Sequence, residues 1–152
     1  MDQTRQLDEA IRVLLRTLSI DERRAPTFGS GERIGLLDLE LLALIAENPG
    51  IQAKALIDLL GVKPTTLQSA INRLDRREII ERDTETLKGR SVALNLTSFG
   101  EELVTDIRTH NLHNCTEILS GLDPAERAPF LHSLTKLARN LTQHSLATPI
   151  SD

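Results

Sequence analysis

Six polar side chains fall within nine residues: Thr65, Thr66, Gln68, Ser69, Asn72 and Arg73. They alternate with Leu67, Ile71 and Leu74, whose spacings of four and three mark one apolar stripe of a helix. The polar set therefore lies on the opposite face. Glutamine and asparagine amides can bond adenine bidentately, and serine or threonine hydroxyls serve several bases. Thr65 and Thr66 follow Pro64 in the first turn, where backbone N–H groups and the helix dipole favour a phosphate. Arg73 and Arg76 sit further along, where a guanidinium suits backbone phosphate better than a base edge. An ordinary solvated face is the alternative reading of the same residues.

A second cluster follows. Ile79 to Arg82 reads as a short strand, and Val92, Leu94 and Leu96 alternate with Ala93 and Asn95 at the period of a half-buried strand. The segment between them is polar apart from Leu87 and carries Lys88, Gly89 and Arg90, the expected tip of a hairpin. Arg90 suits insertion into a narrow minor groove, where negative potential is strongest. Lys54 and Arg82 are placed for flanking phosphates. Asp83 and Glu85 lie in the same hairpin, so it is not a purely basic finger.

These residues need positioning elements. Leu36 to Glu47 is almost wholly apolar and reads as a buried helix, stopped by Asn48, Pro49 and Gly50. Gln52 to Leu60 reads as the next helix, ended by Gly61. The polar helix follows from Pro64. Ser98 with Glu101 has the spacing of a capping box opening a long helix. Gly121 stops that helix, and Asp123 with Pro124 starts a last one bearing Phe130, Leu134, Leu137 and Leu141. A first helix carries Leu7, Ile11, Leu14 and Leu18. Asp21 to Gly35, rich in Pro, Gly and Ser, reads as a loop. The terminal helices carry apolar stripes that need covering, which points to a second copy of the chain. The expectation is a mainly α fold with a small β-wing: a winged helix-turn-helix over 36–97, with a helical dimerisation region over 1–35 and 98–152.

Composition narrows the function. The 152 residues carry a formal charge of −4, which by itself argues against nucleic acid. Its distribution does not. Residues 51–97 hold eight Lys and Arg against six Asp and Glu, leaving −6 for the rest of the chain. An acidic body with a mildly basic module can bind DNA, because the local field over the phosphates decides. Phe28, Phe99 and Phe130 are the only aromatics, a poor set for stacking single-stranded bases. The lone Cys115 excludes an internal disulfide and fits a reducing cytoplasm. No run is apolar enough to span a membrane, and the charged N-terminus does not resemble a secretion signal. There is no Gly-rich phosphate loop, nucleophile elbow or paired His–Glu zinc motif, so an enzyme is not expected. No cofactor is expected.

The chain resembles the MarR family of transcriptional regulators along nearly its whole length. VKPTTLQSAINRLDRREIIER is similar to that family's recognition helix and first wing strand. GRSVALNLTSFGEEL is similar to its wing arginine, second strand and Leu-Thr-x-x-Gly helix opening, and GLDPAERAPFLHSLTKLARNL to its last helix. The resemblance implies a homodimer on a pseudo-palindromic double-stranded operator, usually a repressor relieved by a small-molecule effector. It places Thr65, Thr66, Gln68, Ser69 and Arg73 on recognition-helix contacts and Arg90 on the wing arginine. Two positions depart from the pattern. Lys88 stands where the family usually has Asp, and Glu78 stands where it usually has Gly, at a turn that favours positive φ.

Two other classes are compatible with the residues. A winged helix can act as a protein–protein adaptor. A regulator can also sense redox state or a metal, through Cys115 or through His110 and His113, which share a helix face. Two histidines make only half a tetrahedral zinc site. Cys115 lacks an activating cation on its own face, and a buried or half-buried thiol is expected.

Overall fold

The computed structural model describes residues 2–20, 34–83 and 92–147. The chain divides into two compact units, Met1–Gly35 and Leu36–Asp152. The first holds helix α1, Gln3–Leu15, which opens on Asp2, whose side chain accepts from the Thr4 N–H at 3.2 Å. A π-helical turn, Arg16–Ile20, continues it. α1 buries none of its side chains, and Leu7, Ile11, Leu14 and Leu18 are exposed. Most of the expected loop at Asp21–Gly35 lies outside the described residues, as do Lys88, Gly89 and Arg90.

The second unit runs α2 (Leu36–Glu47), β1 (Ile51–Gln52), α3 (Ala53–Leu60), α4 (Pro64–Arg76), β2 (Ile80–Asp83), β3 (Ala93–Leu96), α5 (Ser98–Ser120) and α6 (Pro124–Ala147). α2 has the bounds that its apolar run predicts. Gly61 ends α3 at φ 62°, the left-handed cap that glycine adopts without strain, and its N–H bonds the Ile57 carbonyl. Pro64 opens α4 as expected. The strands form an antiparallel sheet in the order β1-β3-β2, with Ile51 opposite Leu94 and Ile80 opposite Leu96. A sheet this small is held by the helices packed on it. Leu41, Leu42 and Ile45 of α2, Leu56 of α3, and Leu67, Ile71 and Leu74 of α4 meet Ile79, Ile80 and Leu94 in one core. Each such side chain contributes about 1.5–3 kcal/mol on burial. This is the mainly α, small-sheet winged-helix architecture expected from the sequence.

Three local expectations change. Gln52, expected to open α3, instead ends the strand β1, since two residues are too few to show a period. The cap of α5 is Thr97 rather than Ser98: Thr97 is extended and its hydroxyl accepts from the Gly100 N–H at 3.0 Å. Cys115 is exposed rather than buried or half-buried: it lies beyond Leu103, Val104 and Ile107, the residues by which α5 joins the core. The α6 start shows one half of a capping box, with the Glu126 carboxylate accepting from the Asp123 N–H at 2.9 Å. Beyond that start, no described side chain of α6 is buried.

Candidate nucleic-acid interface

α4 buries Leu67, Ala70, Ile71 and Leu74 and exposes Thr65, Thr66, Gln68, Ser69, Asn72 and Arg73, so the expected polar face exists. Its N-cap, Lys63, makes no side-chain capping bond, and the first-turn N–H groups have no internal carboxylate to serve. The Ser69 hydroxyl donates to the Thr65 carbonyl at 3.0 Å, which turns it back along the helix. Lys54 is exposed in the first turn of α3.

Two groups on that face are less simple than their spacing suggests. Arg73 turns toward α2 and forms a fork with Asp38, Nε to Oδ2 at 2.9 Å and Nη2 to Oδ1 at 2.6 Å. Asp38 is 3% exposed, the one charged side chain in the core among the described residues. Burying a carboxylate demands a hydrogen-bonded cation, and the fork supplies it. That hydrogen bond, chiefly, holds the Arg73 guanidinium above its ordinary pKa. The Arg73 side chain remains 45% exposed. It therefore ties α4 to α2 while one edge still reaches the outer face. Sequence reasoning missed Asp38. Its signal was an acid, one of two with Glu40, inside a largely apolar stretch of helix.

Asn72 is the hub of the second group. Its Oδ1 accepts from Gln68 Nε2 at 3.0 Å and from Arg82 Nη2 at 2.5 Å. Arg82 comes from β2. It lies two residues beyond the buried Ile80, so both side chains leave the same face of the strand, the one that α4 covers. Its Nε also lies 3.0 Å from Asp75 Oδ2, an ion pair by proximity whose N–H makes no directed hydrogen bond. Arg76 Nε donates to the Asn72 carbonyl at 3.2 Å.

The join between α4 and the wing is built around Glu78. This residue has φ 56°, the left-handed region that a glycine would occupy without strain. The turn thus keeps the glycine-type geometry despite the substitution. The Thr97 hydroxyl donates to the Glu78 carbonyl at 2.7 Å and lies 3.1 Å from the Ile79 carbonyl. Gly100 completes the join, since a β-carbon there would sit 2.1 Å from the Ile79 carbonyl oxygen.

Among the described residues no three His, Cys, Asp or Glu side chains gather on one point. His110 Nε2 lies 3.1 Å from Asn114 Nδ2, and His113 lies 3.7 Å from Glu117. Among the described residues no helix is long and apolar enough to cross a membrane.

Comparison with known proteins agrees with this geometry. Residues 36–81 match a family described as winged helix-turn-helix DNA-binding. A Thauera aromatica protein, described as a transcriptional regulatory protein for the hcr operon, is 27% identical over 99 residues. That match covers 65% of this chain and 60% of the relative's length. Among solved structures, Streptococcus pneumoniae FabT in complex with DNA superposes with a TM-score of 0.80 at 20% identity, covering 93% of this chain and 99% of that one. The MarR family transcription regulator SP03579 superposes with a TM-score of 0.75 at 25% identity, covering 95% and 93%. A MarR regulator from Methanosarcina mazei Go1 gives 0.74 at 23% identity, covering 91% and 98%. The chain is a winged helix-turn-helix protein with the fold of the MarR family of transcription regulators.

Proposed function

We propose that the protein is a cytoplasmic, homodimeric, sequence-specific DNA-binding transcriptional regulator, acting as a repressor that a small molecule relieves. The observation that carries this reading is α4. It is a helix seated by four buried apolar residues, with hydroxyl, amide and guanidinium groups facing out, in a domain that matches a DNA-binding family. Thr65, Thr66, Gln68, Ser69 and Asn72 would face base edges and adjoining phosphates. Lys54, Arg73, Lys88 and Arg90 would take phosphates and the minor groove.

Dimerisation is supported by α6, where Phe130, Leu134, Leu137 and Leu141 are exposed along one stripe. The helical segments 1–35 and 98–152 would form the dimer region and 36–97 the DNA-binding domain. A two-fold dimer would set the two copies of α4 about 34 Å apart, one turn of DNA, and so call for a pseudo-palindromic site. A cavity of about 270 Å³ between α2, β3 and α5 is a candidate effector site. Ile45, Leu96 and Val104 give it apolar walls, and Asn95, Thr105 and Arg108 give it polar ones. An effector there relieves repression only by binding one spacing of the recognition helices better than the other.

Selection of binding sites from a randomised DNA library tests the reading. Enrichment of an inverted repeat by the purified protein supports it. Absence of any enriched sequence overturns it.

A further inference from the structure

We propose that Arg82, a wing-strand residue, positions the Asn72 amide and thereby sets which base edge that residue reads. This deepens the DNA-binding reading and rests on it. An amide carbonyl oxygen has two lone pairs, and both on Asn72 Oδ1 are engaged, one by Gln68 and one by Arg82. What Asn72 retains is its NH2 group. Bidentate reading of adenine needs an amide carbonyl to accept from N6 as well as an N–H to donate to N7. Asn72 held in this way is a donor only. It suits edges that present acceptors, guanine O6 and N7 or thymine O4. Gln68 keeps its Oε1 and a second N–H, so adenine-type reading passes to the residue one turn earlier. Arg82 itself is anchored beside Asp75 on the far side of the helix from Arg73, and its side chain is two-thirds covered. It acts through Asn72 rather than on the phosphates.

The test compares base preferences, measured by selection from randomised DNA, for the parent chain and for Arg82→Met, Asn72→Ala, and both together. Asn72→Ala identifies the operator position that residue 72 reads by flattening preference there. Arg82→Met is expected to shift preference at that same position toward adenine by about tenfold, with the slope of affinity against salt unchanged. In the Asn72→Ala background it should shift nothing further. Asn72→Asp keeps the partner of Arg82 but removes the donor, and should move preference to bases that present a donor. It tests the same point should Arg82→Met fail to fold. A uniform loss of affinity for all sequences with a shallower salt slope would make Arg82 a phosphate contact and overturn the inference. So would a shift that persists without Asn72, or an Asn72→Asp variant with the parent's preference. No enriched site for the parent chain would overturn the regulator reading and this inference with it. An enriched site unchanged by Arg82→Met overturns the inference alone.

Discussion

The hydroxyl of Thr97, which caps α5, donates to the carbonyl of Glu78 at 2.7 Å and so fastens the turn after α4 to the start of α5. One side chain serves both ends of this join: it accepts from the Gly100 N–H and donates to the turn. A short, directed contact thus links the start of α5 to the turn after α4.

Gly100→Ala should destabilise the fold by about 2–3 kcal/mol, because the added carbon meets backbone rather than a flexible side chain. Thr97→Val keeps the shape but loses both bonds, and should cost about 1–2 kcal/mol. Urea unfolding of the two variants measures these losses.

Glu78→Gly should act in the opposite direction. A left-handed φ costs a non-glycine residue about 1–2 kcal/mol, and the greater freedom of glycine in the unfolded chain returns part of that gain. The expected result is a net stabilisation of about 0.5–1 kcal/mol in the same unfolding assay. A loss of stability would assign the Glu78 side chain a contact that outweighs the strain.

Asp38→Ala should destabilise by about 2–3 kcal/mol, less than a fully buried pair, because Arg73 is half exposed. Arg73→Met should be the costlier change, since it leaves the Asp38 carboxylate buried without its cation. Thermal unfolding ranks the two. Asp38→Ala should also weaken DNA binding, by freeing Arg73 from the orientation the fork imposes. Titration with an operator fragment at a temperature where the variant is folded separates that effect from the loss of stability.

Much of this was legible in the chain. The bounds of α2, the Gly61 stop, the Pro64 start and the buried and exposed faces of α4 all follow from periodicity and punctuation within a dozen residues. The Asp38–Arg73 fork joins residues 35 apart, and Asn72 meets Arg82 from another element. Local pattern holds no record of such partners, so Arg73 and Arg82 read only as surface cations. Thr97 and Ser98 are adjacent hydroxyls, and the acid three positions on, Glu101, favours Ser98; only the extended backbone of Thr97 decides against that pattern.

Leu134→Asp combined with Leu137→Asp should leave the winged-helix core intact, since both side chains are exposed within the chain. If α6 lies in the dimer interface, the double variant sediments at the mass of one chain where the parent sediments at two. Burying two carboxylates against apolar partners is too costly for the dimer to persist. A parent that sediments as one chain would remove the two-fold operator from the account.

Arg90→Ala should weaken operator binding by about 1–3 kcal/mol and reduce the salt slope by about one. Fluorescence anisotropy at several salt concentrations gives both quantities. Unchanged affinity would make the wing a spectator.

The most direct test of the account is titration of the purified protein against DNA from the intergenic region upstream of its own gene, at low and at moderate salt, with scrambled competitor present. The account predicts saturable binding that resists the competitor and weakens steeply with salt, as phosphate contacts release counterions. Binding no tighter than to scrambled DNA, there and at sites chosen by selection, would contradict it.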